Sequence, residues 1–551
     1  MSNRTVIQNE AVMSGTDRVV YAAFSSCLIA LLLLISFTWL SLAYSQGYVL
    51  VGSLVYLFVM NLLAKLVYRW YVAYSMKRPR HLSAPAGASI AMAVTFVPDA
   101  EPIEMLRRTL GGIMRVEYPH DVFVLDEGND PRVLELCEQL GARHFSRKGR
   151  PEYNQPFGPY EARTKAGNIN AWLTEHGYGY EIVTLLDSDQ VPERHFLRRV
   201  LGYFRDEDVG FVQGPQVYCN KEESFVARGA AELTYHYYGP HYMGLYGMGL
   251  TIVDGCHTTF RTRVIRALGG YPVHAVEDLL LTHELRERNV KGIYVPEVLA
   301  RGLAPADWRA YFQQQARWAF GTLDLKFWYF PRVRKLLSPI HRLCLFSHGL
   351  IYLSNIKVPA GIALSVGLLI FGQVPEVTTE FVIQCLILCG LGLGMGLWLQ
   401  KFNIVPREER GVFWRAAFLG VARWPVYVTA VIRALRRKEA PRRVTPKIRD
   451  DHGQVSLFVA HIAAVVILLL ALAISFDRDG ASLGIARVWA AVSLVSELLL
   501  VVGVLRWSKL WLRLREIAIS DVPRGWSLEG GRVTPARRRR AGRHASVEPS
   551  L

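Results

Sequence analysis

Residues 180–190 read YEIVTLLDSDQ. An apolar run of this length, rich in β-branched and aliphatic residues and closed by an acidic turn, reads as a buried strand. The elements around it alternate in kind. SIAMAVTFVP (89–98) reads as a strand and EPIEMLRRTLGGIMRV (101–116) as a helix, then HDVFVLDEGND (120–130) as a strand ending in a turn. RVLELCEQLGARHF (132–145), KAGNINAWLTEHG (165–177) and ERHFLRRVLGYFRD (193–206) read as helices. Strands separated by helices imply βαβ units and a parallel sheet. Ligands then sit beyond the carboxyl ends of the strands, the edge where Asp126 and the Asp187-Ser188-Asp189 turn fall.

On an extended strand, residues two apart point the same way, so Asp187 and Asp189 can share one cation. Two carboxylates with no His or Cys favour a hard ion, Mg²⁺ or Mn²⁺, of the kind that carries a diphosphate. The plainer alternative is a solvated turn, where Asp is common. Further on, AVEDLLLTHELRERN (275–289) places Glu277 and Asp278 at a helix start. They can be a cap, or a general base at the sheet rim that takes a proton from an attacking hydroxyl. In YFQQQARWAFGT (311–322), Gln314, Arg317 and Trp318 stand at i, i+3 and i+4 and share a helix face. An arginine fork suits a diphosphate and an indole suits a sugar face. Against that stands an amphipathic helix at a membrane interface, where Trp and Arg are ordinary.

A membrane is implied independently. The chain has 551 residues, a net charge of +17 and a hydrophobic fraction of 51%. Its apolar residues collect in six windows, 21–44, 48–68, 343–371, 379–399, 456–475 and 483–507, each near the ~20 residues that cross a bilayer. The basic clusters MKRPRH, RVRKLLSPIHR and RALRRKEAPRRVTPK flank these windows, whereas the connections SQG, GQVPEVTTE and FDRDGAS nearly lack Lys and Arg. The positive-inside rule therefore predicts that both termini and every long loop are cytoplasmic, in a plasma or inner membrane. Charge that tracks the membrane boundaries argues against nucleic-acid binding. The seven cysteines form no CxxC pair or metal-ligand spacing, so free thiols are expected. The first window has no small-residue cleavage site and reads as an anchor.

The expected organisation is a tail at 1–18, two spans within 19–71 and a catalytic domain at 72–339. Two spans within 340–400 follow, then an interfacial segment at 401–453, two spans within 454–508 and a basic disordered tail at 509–551.

The ordered series VLDEGND, LLDSDQ, VQGPQ (212–216), VED and QQQARW resembles the membrane-embedded family-2 glycosyltransferases, the group of cellulose, hyaluronan and chitin synthases. KAGNIN (165–170) is similar to that family's KAGNLN segment, and GCHTTFRTRVIRALGGYP (255–272) to the stretch before its acidic motif. The resemblance implies an α/β GT-A, Rossmann-like cytoplasmic domain among about six transmembrane helices and amphipathic interfacial helices. It implies that Asp126 contacts the uracil or ribose of a UDP-sugar, with Glu101 and Lys165 as further donor contacts. Asp187 and Asp189 hold the diphosphate and its Mg²⁺ or Mn²⁺, Asp278 is the base with Glu277 beside it, Gln314 and Arg317 grip the diphosphate, and Trp318 is a floor for the acceptor. Asp254, Cys256 and His257 in VDGCHTT are acceptor-lining candidates.

The stretch 411–437 is amphipathic, with Arg415, Arg423 and Arg433 among apolar residues, and reads as lying along the interface. PRRVTPK follows it and matches the cellulose synthase gating motif FxVTxK at Val444, Thr445 and Lys447, with Arg442 in the Phe position. Thr445 and Lys447 are expected to reach phosphate. Three more departures stand out: FVPDAEP for PTYNEP, VLDEGND for DDGS, and Val-Glu-Asp for Thr-Glu-Asp. The implied activity is inverting, processive polymerisation of a β-linked polysaccharide from a UDP-sugar, UDP-glucose first and UDP-N-acetylglucosamine second. Export would run through the protein's own channel, with the growing polysaccharide, the bilayer and accessory export proteins as partners. Transfer to a lipid acceptor is the alternative, and an inactive export scaffold the reading of another class. The tail past the sixth window is too short for an added β-barrel that senses a cyclic dinucleotide.

Overall fold

In the computed structural model the described residues are 7–372, 375–438, 454–477, 483–520, 526–529 and 532–535. The three expected strands, β1 (Ile90–Phe96), β2 (Asp121–Asp126) and β4 (Ile182–Asp187), join four others in one seven-stranded sheet: β3 (Arg143–Phe145), which the sequence suggested as the end of a helix, β5 (Val209–Gln213), β6 (Thr258–Arg261) and β7 (Lys291–Tyr294). Their order is β7-β5-β6-β4-β1-β2-β3. The sheet is mixed, not parallel as the sequence suggests. β1 pairs in parallel with β2 and β4, while β6 runs antiparallel to both β4 and β5. TTFR is a short run inside a stretch without strong alternation, so its direction is not readable from pattern alone.

β1 shows why the sheet is buried on both sides. Met92 and Val94 join Val122, Val124 and Leu186 in one core. Ala91 and Ala93, facing the other way, join Phe123, Leu125, Val183 and Trp172 in another. Period-two alternation thus feeds two cores from one strand. The register then aligns the acidic ends: Thr95 pairs with Asp187 and Phe96 with Asp126. A smaller sheet of Val191–Pro192, Ala300–Gly302 and Val217–Tyr218 lies beyond β4.

Among the described residues six helices are long and apolar enough to cross a membrane: Gly15–Ser45, Val49–Tyr74, Leu350–Phe371, Thr379–Phe402, Gln454–Phe476 and Ala486–Gly503. Large apolar side chains stand exposed along them, such as Phe37, Leu50, Leu386 and Val492, as lipid contact requires. The third begins later than the expected residue 343. Helix Pro339–Ser347 stops at His348, and Gly349 adopts φ 77° before the chain re-enters a helix. The last helix runs Leu483–Ser520, and Trp526–Glu529 pairs with Arg532–Pro535. Of the expected tail at 509–551, only residues 509–520, 526–529 and 532–535 are among the described residues.

The amphipathic stretch forms two helices, Trp414–Ala422 and Trp424–Leu435, bent by 44°. The first packs on helix Phe225–His236 and the second on helix Trp308–Asp324. At the bend, the Ala422 carbonyl meets His461 Nε2 at 3.0 Å. His461 Nδ1 meets Glu497 at 2.5 Å, and Trp424 donates to the same carboxylate at 3.2 Å. A break in a helix frees a carbonyl, and here a buried side chain takes it.

Candidate functional site

Three helices bring the site together: α1 (Lys165–Glu175), α2 (Glu277–Glu287) and α3 (Trp308–Asp324). α1 starts where it does because Thr164 caps it, its hydroxyl accepting from the Gly167 amide at 3.0 Å. The loop before it is fixed by Arg147, a fully buried guanidinium. Arg147 pairs with Glu127 at 2.8 Å and donates to the carbonyls of Tyr153, Glu161 and Thr164 at 2.9–3.1 Å. Lys165, the first residue of α1, is thereby aimed across the sheet edge. Its ammonium donates to Asp187 and to the Gly255 carbonyl, the latter at 2.8 Å. Burial would lower its pKa, but the carboxylates of Asp187 and Glu277 outweigh burial and hold it above its ordinary value. Lys165 is a permanent cation between three loops.

Asp187 and Asp189 do not share a strand face. β4 ends at Asp187, and Ser188 and Asp189 turn away from it. Asp187 meets Lys165, whereas Asp189, 5% exposed, accepts from the Leu303 amide at 3.0 Å. Between them, Ser188 donates to Glu101 at 2.6 Å, and Glu101 also accepts from the Val97 amide at 2.8 Å. Glu101 thus ties the end of β1 to the DSD turn. The donor set is two carboxylates without His or Cys, which fits a hard divalent cation. Among the described residues no group of three or more His, Cys, Asp or Glu forms a cage. A cation held here would complete its shell with diphosphate and water.

Asp126 departs most from expectation. It is fully buried, and its carboxylate accepts from the amides of Gly128 at 2.8 Å and Asp130 at 2.6 Å and meets His144 at 3.1 Å. It shapes the turn after β2 and does not face an open surface. The neighbouring cleft of about 370 Å³ is lined instead by Asp99, Asn129, Asp130, Arg132 and Lys148. Asn129 and Asp130 stand in VLDEGND and Asp99 in FVPDAEP, but the sequence singles out none of the five as a site residue.

Asp278 and Glu277 open α2. The Asp278 carboxyl accepts from the Leu279 amide at 2.8 Å. Burial, then the charge of Glu277, push its pKa up to about 6, with Lys165 and Arg317 pulling the other way. A solvated cap would leave such a carboxyl acidic, so burial sets Asp278 apart from an ordinary cap. Against it lies Gly255, at φ +71°, where a Cβ would come within 3.1 Å of the Asp278 carboxyl.

On α3, Gln314 is buried, Arg317 exposed and Trp318 half-buried. Gln315, which no motif singles out, is also buried and accepts from Tyr427 Oη at 2.6 Å. The structure therefore brings Lys165, Asp187, Glu277, Asp278 and Arg317 into one electrostatic cluster. It does not bring Cys256 and His257 to an open face. Each is 1% exposed, and the His257 ring packs edge-on against Phe196. Burial pushes the Cys256 thiol well up and lowers His257 to about 4. Their neighbour Asp254 is half-buried, its Oδ1 accepting from Tyr242 Oη at 2.5 Å. Val444, Thr445 and Lys447 lie outside the described residues.

Comparison with known proteins follows the same residues. Residues 91–321 match the family model described as glycosyltransferase like family 2. The chain is similar to a UDP-forming cellulose synthase of Dictyostelium discoideum, in its catalytic polypeptide, 28% identical over 307 residues, which are 50% of this chain and 28% of that protein. It is also similar to the catalytic polypeptide of cellulose synthase 1 of Komagataeibacter xylinus, 26% identical over 241 residues, which are 42% of this chain and 30% of that protein. The matched part is thus under a third of either relative's own length. Among solved structures, a mannosyltransferase from Pyrobaculum calidifontis in complex with GDP-Man and Mn²⁺ is 16% identical with a TM-score of 0.44, covering 75% of this chain and all of that one. Glucosyl-3-phosphoglycerate synthase from Mycobacterium tuberculosis in complex with Mn²⁺, UDP-Glc and phosphoglyceric acid is 15% identical with a TM-score of 0.30, covering 42% of this chain and 78% of that one. The family model spans the sheet from β1 through α3, including Lys165, Asp187, Asp278 and Arg317. Residues 91–321, the part that matches the family-2 glycosyltransferase model, are set among helices long and apolar enough to cross a bilayer.

Proposed function

We propose that the chain is an inverting, metal-dependent glycosyltransferase that processively polymerises a β-linked polysaccharide from a UDP-sugar, with UDP-glucose the first choice of donor and UDP-N-acetylglucosamine the second. The observation that carries this reading is Asp278, a carboxyl lifted to about 6 and set beside a cationic pair, Lys165 and Arg317, at the sheet edge. A base poised near neutral pH and cations for a departing diphosphate are what sugar transfer needs. The likeness to two cellulose synthases named UDP-forming supports the donor class.

In the reaction, Asp278 takes the proton of the acceptor hydroxyl as that oxygen attacks the anomeric carbon. The new C–O bond forms as the bond to the diphosphate breaks, and UDP leaves with the electron pair. Arg317 and Lys165 stabilise the charge gathering on UDP, and Asp187 and Asp189 would hold Mg²⁺ or Mn²⁺. That ion supplies further charge neutralisation on the diphosphate. In-line attack inverts the anomeric configuration without a covalent intermediate. Trp318 is the proposed floor for the acceptor, and the spans around the domain the proposed export route, in a plasma or inner membrane with the domain cytoplasmic.

The test is incubation of membranes carrying the protein with each radiolabelled UDP-sugar and Mn²⁺, followed by sizing of the product. Long polymer digested by a β-linkage-specific hydrolase supports the reading. Label found only in the lipid phase favours transfer to a lipid acceptor and overturns polymerisation.

A further inference from the structure

Beside Asp278 stands a further carboxyl, Asp254 of VDGCHTT, to which the reaction steps above give no role. Asp254 directly precedes Gly255, the glycine that backs Asp278, so the two acids lie on either side of one residue. Asp254 Oδ1 accepts from Tyr242 Oη at 2.5 Å, and its backbone amide donates to Gln213 Oε1 at 3.1 Å. Its Oδ2 is buried and has no hydrogen-bond partner. Aromatic rings surround the Tyr242 side: Tyr237, Tyr238 and Tyr294 stand 4.8, 5.1 and 5.3 Å from it between centroids. The chain kinks at Gly239, ψ −109°, ahead of Pro240, and so crowds these tyrosines onto one wall. A buried carboxyl with one oxygen fixed and the other unsatisfied calls for an explanation, and a ligand hydroxyl supplies one.

We propose that Asp254 positions the acceptor: Tyr242 locks Oδ1, and Oδ2 is hydrogen-bonded to a hydroxyl of the incoming sugar chain, which presents the neighbouring hydroxyl to Asp278. The assignment rests on the glycosyltransferase reading above. Burial holds the Asp254 carboxyl well above the usual range, the Tyr242 hydrogen bond opposing and the charge of Asp278 adding. The other ionisable groups that feel it are Tyr218, Tyr237, Tyr238, Tyr294 and Cys256, all kept neutral by their own burial. Raised in this way, Asp254 favours its protonated form, whose Oδ2–H donates to the acceptor hydroxyl. Two carboxyls pushed apart in this way divide the work of binding and proton removal. The charge of Asp278 disfavours an anionic acceptor and selects an uncharged, hydroxyl-rich one.

The experiment uses the full-length protein in membranes, with labelled UDP-glucose as donor and cellotetraose as added acceptor. Asp254→Ala is expected to raise the acceptor KM about tenfold, the loss of one good hydrogen bond, with UDP binding and the donor KM unchanged. Asp254→Asn still donates a hydrogen bond and is expected within about threefold of wild type. Its lower pH midpoint for transfer should match the wild type, because no charge has been removed. Tyr242→Phe, which frees Oδ1 without emptying the site, should raise the acceptor KM by a smaller factor. An unchanged acceptor KM in both Asp254→Ala and Tyr242→Phe overturns the assignment. So does an Asp254→Asn as deficient as Asp254→Ala, or one whose pH midpoint falls. Absence of transfer by the wild type with any UDP-sugar overturns the glycosyltransferase reading itself.

Discussion

Gly255 and Asp278 are in contact: a Cβ built on Gly255 would lie 3.1 Å from Asp278 Oδ2 and 3.2 Å from its Cβ, and Gly255 itself sits at φ +71°. The glycine is there for two reasons at once, since a side chain would strain the left-handed backbone and push the carboxyl aside. Gly255→Ala is therefore expected to lower the transfer rate by about tenfold to a hundredfold through displacement of the base. UDP affinity should change little, because Gly255 carries no donor contact of its own. Single-turnover rates alongside UDP titration check this.

As the proposed base, Asp278 would make transfer pH-dependent. With its pKa raised to about 6, kcat/KM should rise through a midpoint near that value and level off above it. The sign for stability is opposite. Between the unfolded value of 3.8 and the folded value of about 6, the native state binds more protons than the unfolded chain. The Asp278 contribution therefore weakens the fold as pH rises through that window and is fully unfavourable above it. Asp278→Asn should raise the melting temperature at neutral pH in detergent even as transfer is lost. A lower melting temperature would show that the carboxylate is held there by favourable contacts.

Lys165 bridges Asp187 and the Gly255 carbonyl. Lys165→Met removes both contacts and one cation facing the diphosphate, and a loss in kcat of about 10²–10³-fold is expected. Lys165→Arg keeps the charge but not the point geometry and should recover only part of it. Steady-state kinetics of the two variants separate charge from shape.

Asp187 is held by Lys165 and Asp189 by the Leu303 amide, so their substitutions should differ in kind. Chelation of divalent cations should abolish transfer, with Mn²⁺ or Mg²⁺ restoring it. Asp187→Asn should weaken Mn²⁺-dependent UDP binding in calorimetry. Asp189→Asn should do the same and also lower thermal stability, because its buried carboxylate holds the Leu303 amide.

Tyr427 fastens the bent amphipathic pair to the helix of Gln314 and Arg317 by its bond to buried Gln315. Tyr427→Phe leaves that amide oxygen unpaired at a cost of about 1–3 kcal/mol. A fall in melting temperature accompanied by slower transfer would show that the pair positions the active helix as well as covering it.

The sequence made the layered domain and its acidic edge legible because both depend on local pattern. Apolar runs ending in Asp mark strands, and the register of β1 then brings Asp126 and Asp187 to one edge. Six spans were legible for the same reason, since length and hydropathy are local. What escaped depends on where the chain turns. Strand alternation put Asp187 and Asp189 on one face, but β4 stops at Asp187. Asp126 looked like a ligand contact, yet two amides of its own turn and His144 occupy it. Cys256 and His257 are polar and close to the motif, but the backbone at His257, φ 37°, turns the ring into the core. The buried Arg147 and the Asp254–Tyr242 pair join distant segments, which no window of sequence displays.

The account stands most directly on Asp278 as the base of UDP-sugar transfer. Membranes carrying wild type or Asp278→Asn are incubated with radiolabelled UDP-glucose and Mn²⁺, with UDP binding measured on the same preparations. The expected result is labelled, β-hydrolase-sensitive polymer from wild type and none from Asp278→Asn, with UDP binding equal in the two. Polymer made by Asp278→Asn at an appreciable fraction of the wild-type rate would contradict it.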